Sequence, residues 1–320
     1  MIQYRLLEIT TSYASYLNYF YDYYKNTELL SYEELYSLFT EDCFAESDFI
    51  HRHLKEIGIE SKVVFYNNMN LQRKWKDEFA NSDPYEIVIN QVKDYEPDVI
   101  YISDMTVFTR DQLFEIKSYS NSKRVRLVGF CFFLLTDQNV MDSIRLYDQI
   151  YTGAQNYVDY YLKQGANAKL LRHAFESPVY DKCNSGCRKK EVVFMGNVFL
   201  GKDVHSNRIE MLKTLIESGV SYTFYGDIYG GEGSKTALGR LKDKVYQNRE
   251  RRNIRYITDK NRQNHYPNVY GREYYKILSE KLVCVNCHIA AVGQGAGNMR
   301  MFEATGMGAC LLTDSKDENA

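Results

Sequence analysis

Short apolar runs alternate with stretches of helical periodicity along most of the chain, the pattern of a parallel sheet whose crossovers are helices. In the first half the runs predict strands at Tyr4–Ile9, Lys62–Phe65, Val99–Ser103, Leu127–Phe132 and Gln149–Thr152, with another near Lys169–Leu171. The intervening spacing predicts helices over Tyr13–Tyr24, Tyr32–Phe39, Ser47–Ile57, Gln72–Phe79, Asp111–Ser118 and Gln155–Gln164. Between Arg172 and Lys190 the periodicity lapses into HAFESPVYDKCNSGCRKK, whose Pro, Gly, Asn and Ser read as a linker. The alternation then restarts, with strands at Glu191–Met195, Tyr222–Tyr225, Leu282–Asn286 and Ala309–Thr313 and helices over Asn207–Ser218 and Tyr270–Lys281. The fold class is therefore α/β: two Rossmann-like doubly wound domains, 1–175 and 176–320, facing a cleft at the carboxyl ends of both sets of strands. The second domain, with three or four expected strands and a chain end just beyond Thr313, reads as truncated.

Composition agrees with this and removes alternatives. A chain of 320 residues with 44% hydrophobic content has the length for two cores. Lys+Arg 40 against Asp+Glu 42, a net charge of −2, argues against a general nucleic-acid binder, which needs a basic excess. The start, MIQYRLLEIT, lacks the features of a signal peptide, and the longest apolar run, Leu127–Leu135, is far shorter than a membrane span. Seven scattered cysteines fit a reducing, cytoplasmic setting. The 29 tyrosines, several in SYASYLNYFYDYY, read first as an aromatic helix half packed into a core and second as a sugar-stacking face.

The segment GNMRMFEATGMGACLLTD, Gly297–Asp314, carries the most chemistry. A strand, LVCVN, runs into the glycine-rich turn VGQGAG and then into a short helix that Asn298 can cap. A helix N-terminus at a strand end suits a phosphate, because free N–H groups and the helix dipole both favour negative charge there. Arg300 and Glu303 on the first turns add a base for phosphate and a carboxylate for sugar hydroxyls. A dinucleotide fingerprint is excluded, since Asn298 stands where its third glycine would be and the turn comes late in the chain. The loop GDIYGGEGSK lacks the Gly-Lys-Ser/Thr of a Walker loop, and Cys183, Cys187, Cys284 and Cys287 are poorly spaced for zinc. His288, just past a strand, reads either as a sugar or phosphate ligand or as a structural hydrogen-bonder, and His173 either touches substrate or braces the linker. Asp104, at the end of Val99–Ser103, is either an acceptor-side catalytic group or a cap. The basic stretch within Arg240–Arg262 reads as a solvated helix face, or as a dock for an anionic acceptor or a membrane surface.

The run NMRMFEATGMGACLLTD, preceded by VNCHIA, resembles the motif of spore-maturation-type glycosyltransferases, a branch of the group 1 superfamily with the GT-B fold. VVFMGNV, SNRIEMLKTLIESG, FYGD and YPNVYGREYYKILSEKLVCVN extend the resemblance upstream, and YEPDVIYISD and YVDYYLKQGANAKLLRHAFE extend it into the first half. The resemblance implies a nucleotide-diphosphate sugar as donor, with no tightly bound cofactor and no metal. It places Glu303 on the ribose, and Asn298, Arg300 and the N–H groups after Gly297 on the diphosphate. Arg208, following the Gly196-Asn197 turn, is a second group for leaving-group charge. The implied reaction moves a sugar to a glycan or cell-envelope acceptor with retention, with Asp104 as base if the enzyme inverts; the cysteines and the basic stretch point to the cytoplasm, with peripheral contact at the inner membrane surface as an option. The chain departs from the family at Gly295, where a second glutamate is expected, which bears on donor-sugar choice and leaves open a catalytically degenerate glycan- or partner-binding protein.

Overall fold

The computed structural model describes residues 4–119, 126–132, 134–199, 205–229, 252, 256–257, 259–260, 263–288 and 298–315. Two compact units, Met1–Arg172 and His173–Ala320, divide the chain. In the first, strands β1 (Arg5–Thr10), β2 (Glu60–Phe65), β3 (Val99–Ile102), β4 (Arg126–Phe130), β5 (Gln149–Thr152) and β6 (Ala168–Leu170) form one parallel sheet in the order β2-β1-β3-β4-β5-β6. The order reverses between β1 and β3, so a crevice at their carboxyl ends is where a doubly wound sheet binds ligands.

Helices fill the crossovers much as the periodicity predicts, with one displacement. Gln72–Phe79 is not a helix; a single turn, Met69–Gln72, capped by Asn68, and a 3₁₀ turn, Asp77–Phe79, stand there instead. The crossover helix is Pro84–Tyr95, started by Asp83, whose carboxylate accepts the Tyr85 and Glu86 N–H groups, with Pro84 in the first turn. It buries Val88, Ile89 and Val92 against Leu7, Ile9, Ile100 and Ile102 of the sheet. The tyrosine-rich helix, Ala14–Tyr23, is half core: Tyr16 and Phe20 are buried while Tyr13 and Tyr23 face solvent. Tyr16 stacks on Phe44 and donates to Asp42 at 3.0 Å.

The other face of β1 carries a buried acid. Glu8, aligned with Val63 and Tyr101, is 1% exposed, and neither of its carboxyl oxygens has a partner among the described residues. Burial, reinforced by Glu46 and Asp48, holds its carboxyl well above the usual carboxylate range, and burial pushes Glu46 up to about 7. Both groups keep protons in the folded chain that the unfolded chain releases, so their stabilising effect is complete below the ordinary carboxylate pKa and is lost as pH rises through the folded values. Each such proton contributes a slope of up to about 1.4 kcal/mol per pH unit. Thermal melts between pH 5 and 8 should therefore show stability falling with pH and a shallower fall in Glu8→Gln; parallel pH profiles would refute the assignment.

In the second unit β7 (Lys189–Met195), β8 (Val198–Phe199), β9 (Tyr222–Tyr225), β10 (Ile228–Tyr229), β11 (His265–Tyr266), β12 (Lys281–Asn286) and β13 (Cys310–Thr313) follow in sequence. Five of them make a parallel sheet ordered β11-β9-β7-β12-β13, and β8 pairs with β10 in a small second sheet. The count exceeds the three or four strands expected because the two-residue β11 adds an edge too short to register as an apolar run. The supposed linker also holds a helix, Ser177–Cys183, with proline in its first turn. Phe194, Val198, Ile209, Leu212 and Phe224 form the core beside the sheet. The order reverses between β7 and β12. Among the described residues, no helix is long and apolar enough to cross a membrane.

Candidate active site

The residues singled out in the carboxyl-terminal half converge on the β7/β12 reversal, each for a local reason. β7 ends at Met195 and turns at Gly196, whose φ of +154° suits glycine. A side chain there would collide with the site itself: a Cβ on Gly196 would lie 3.0 Å from Arg300 Nη1 and 3.8 Å from Arg208 Nη1. Two guanidinium groups thus meet over the one residue that leaves them space.

Arg208 stands in the first turn of helix Ser206–Ser218 and is held by two carbonyls, donating from Nη1 to Asn197 O at 2.8 Å and from Nε to Cys287 O at 3.2 Å. These tie it to the carboxyl ends of both strands. His205, before the helix, accepts the Phe199 N–H at Nδ1, and burial together with Arg208 pulls its pKa down to about 4, the neutral form that accepting requires. Asn197 is the hub of the turn. Its side-chain oxygen accepts from the Asp227 N–H at 2.9 Å and from Asn268 Nδ2 at 2.8 Å.

Arg300 and Glu303 lie one helical turn apart on Met299–Gly306. Asn298 caps that helix by accepting the Met301 N–H and anchors it to β12 by donating to Asn286 Oδ1 at 2.9 Å. Glu303 is gripped by two hydroxyls, from Tyr274 at 2.7 Å and Tyr275 at 3.4 Å, and Arg300 Nε donates to the same Tyr274 oxygen at 3.0 Å. Tyr274 therefore relays between base and acid. Burial raises the Glu303 carboxyl above its ordinary value, opposed by Arg300 and by both tyrosines.

The electrostatics are uneven. Burial works against the Arg300 charge, but Tyr274 and Glu303 outweigh it and its pKa is raised. Arg208 is pulled down to about 10, first by burial and then by Arg300. Both remain cations at neutral pH. Their mutual repulsion is what a bound anion would relieve, so the pair is preorganised for negative charge.

His288 follows β12 with its side chain buried. Its backbone N–H and ring Nδ1 both meet Asp314 Oδ1, at 2.9 and 2.8 Å. The carboxylate thereby makes Nδ1 a donor and leaves Nε2, which is buried and has no partner among the described residues. These hydrogen bonds hold the Asp314 carboxyl below its ordinary range in spite of burial.

The reversal of the first unit holds Asp104. Its Oδ2 accepts from Thr11 at 3.0 Å, across from β1, and its Oδ1 accepts the Thr106 N–H and hydroxyl at 3.0 and 2.6 Å. Asp104 thus closes its own turn, while Thr109 caps the next helix. His173 lies 6.1 Å from the Phe302 ring, with burial lowering its pKa to about 3. Gly297 and Gly295, with the rest of the glycine-rich turn and most of Arg240–Arg262, lie outside the described residues. Tyr274, Tyr275, Asn268 and Asp314 had no signal as site residues, because each reads as ordinary helix, loop or strand-end chemistry until folding sets it beside its partner.

Comparison with known proteins bears on this arrangement. Residues 208–320 match the family described as Glycosyl transferase-like. No curated protein matches the chain in sequence. In structure it resembles an α-glucosyltransferase in complex with UDP and a 13-mer DNA, at TM-score 0.53 and 12% identity over 97% of this chain and 79% of that one. It also resembles a trehalose-6-phosphate synthase studied with bisubstrate glycomimetics, at 0.50 and 13% over 97% and 83%. A trehalose-6-phosphate protein from E. coli bound with UDP-2-fluoro glucose matches at 0.50 and 13% over 97% and 84%. The fold is GT-B, two Rossmann-like units, and the match to the glycosyl transferase-like family lies within the carboxyl-terminal unit.

Proposed function

We infer that the protein transfers a sugar from a nucleotide-diphosphate donor to a glycan or other cell-envelope acceptor, with retention and without a metal, as a relative of the spore-maturation-type enzymes. The observation that carries this is the pair of guanidiniums meeting over Gly196 at the β7/β12 reversal. Arg208 and Arg300 take the diphosphate, and the N-terminus of helix Met299–Gly306 adds its N–H groups and dipole. Glu303 takes the ribose diol, a role its tyrosine clamp supports by fixing the carboxylate. UDP is the leading nucleotide, since two of the three fold neighbours named above were seen with UDP or a UDP sugar.

In the reaction the bond from the anomeric carbon to the diphosphate breaks as the acceptor oxygen bonds to that carbon from the departing side. The acceptor proton passes to a diphosphate oxygen. The growing charge on the leaving group falls between the two arginines, where no reorganisation is needed to meet it. His288 Nε2, fixed by Asp314, supplies a hydrogen bond to the transferred sugar or its phosphate. Asp104 is assigned to the acceptor side, its carboxylate oriented by Thr11 and Thr106.

Calorimetry with UDP, GDP and dTDP on the whole chain tests the reading. One diphosphate should bind, and Glu303→Ala should weaken it at least about tenfold, the worth of one charge-assisted hydrogen bond. No heat with any of the three would end the transferase assignment. Binding without donor hydrolysis would favour a degenerate glycan- or partner-binding protein.

A further inference from the structure

The first unit carries a second recess, unrelated to the strand-end crevices. It is a groove of about 580 Å³ along the outer edge of β2, within the range of small-molecule sites. Its wall includes Ser61–Val64, the middle of the edge strand, so it lies to the side of the sheet rather than at the carboxyl ends where Thr11 and Asp104 stand.

Four aromatic residues line it: Tyr32 and Tyr36 from helix Tyr32–Glu41, Trp75, and Tyr95 from the end of Pro84–Tyr95. Trp75 is backed by Phe79, with ring centroids 5.3 Å apart. The charged lining is mixed in sign. Glu33 and Asp94 are offset by Lys62, whose Nζ sits 4.9 Å from the Tyr95 ring centre, and Asp94 pairs with Lys76, whose Nζ sits 4.2 Å from the Trp75 ring centre.

Two lining residues are incompletely satisfied. Among the described residues, Gln91 Oε1 and the Tyr95 hydroxyl are buried with no partner, although Gln91 spends its amide N–H on Gln72. Orphan polar atoms in a native fold call for a ligand or water that can complete them. An apolar peptide would leave both unpaired, and a lining of mixed charge selects neither an anion nor a cation. A neutral sugar suits this lining: its C–H faces pack on Tyr32, Tyr36 and Trp75, and its hydroxyls both donate and accept.

We propose that the β2-edge groove is a binding site for a neutral oligosaccharide, distinct from the donor site and separate from it in the chain. The assignment does not depend on the donor-site reading, because a glycan-binding protein without transferase activity would use the groove equally. If the chain is a transferase, the groove tethers glycan, concentrating it near the enzyme.

Trp75 is the one tryptophan in the sequence, so its emission reports on this groove alone. The whole chain is titrated with maltohexaose and chitohexaose while the emission is followed, and UDP calorimetry is run in parallel. A saturable change with at least one sugar is expected, weakened at least tenfold in Tyr32→Ala and measurably in Glu33→Gln, an exposed position that spares the core, with UDP binding unchanged in both variants. No saturable change with either sugar, or equal sugar affinity in wild type and both variants, would overturn the proposal. A UDP failure alongside intact sugar binding would count against the donor site only.

Discussion

Arg300→Ala is expected to lower kcat/KM for donor cleavage by about 10²–10³-fold, the loss typical of removing one preorganised charge from a leaving-group site. Arg300 meets Arg208 over Gly196, and through Tyr274 it is coupled to Glu303. Losing it leaves Arg208 alone to meet the departing diphosphate and deprives Tyr274 of the donor that orients its hydroxyl toward Glu303. Because charge on the diphosphate grows as the glycosidic bond breaks, the fall should appear mostly in kcat, with a smaller rise in KM. Arg300→Lys should recover only part of the activity, since an ammonium group cannot both hold Tyr274 and reach over Gly196 with a second donor. Steady-state kinetics of donor hydrolysis decide the matter, and wild-type kcat in Arg300→Ala would remove the arginine pair from the mechanism.

The second large effect belongs to the turn beneath that pair. Gly226→Ala should destabilise the carboxyl-terminal unit by about 3 kcal/mol or more, combining overpacking with positive-φ strain. A Cβ on Gly226 would fall on the Gly196 carbonyl, far inside contact distance of its oxygen and 2.7 Å from its carbon. Both backbones are fastened: Gly196 N–H donates to Tyr225 O at 2.8 Å, Gly226 N–H to Tyr266 O at 3.1 Å, and His265 Nε2 meets Gly226 O at 2.7 Å. Neither strand end can yield without breaking the ladder that places Asn197. Gly219→Ala is the control, with a positive φ of 70° but nothing within 4 Å of its Cβ, so it should lose only about 1 kcal/mol. Urea unfolding of the two variants separates the effects; equal losses would show that the Gly196–Gly226 contact does not constrain the fold.

Much of the proposed donor site is legible along the chain because its chemistry is local. Asn298, Arg300 and Glu303 share one short helix, and helical spacing sets the last two one turn apart before any tertiary contact forms. Arg208 is legible for the same reason, as the third residue of a helix that follows a Gly-Asn turn. The partners of these residues are not local. Tyr274 and Tyr275 are ordinary helical tyrosines until the sheet brings their helix alongside Met299–Gly306, and Asp314 meets His288 only because β13 pairs with β12. The displaced helix near Trp75 shows the converse limit. Apolar spacing over Gln72–Phe79 fits a helix, but Asn68 and the 3₁₀ turn at Asp77–Phe79 divide it, and Asp83-Pro84 starts the true crossover later.

The amino-acid sequence by itself determined the α/β class, the two-part organisation, most strands and the polar residues of the proposed donor motif, since period and turn chemistry act over a few residues. It also held the aromatic residues of the β2-edge groove without marking them, because they lie far apart in the chain. Tertiary structure alone decided that the strand order reverses between β7 and β12, that two like charges meet over Gly196, that tyrosine hydroxyls clamp Glu303, and that Glu8 is sealed among acids with no partner among the described residues. The physical reason is common to all four. Coulombic repulsion, desolvation and close backbone approach depend on distances through space, and those distances exist only after the strands have paired.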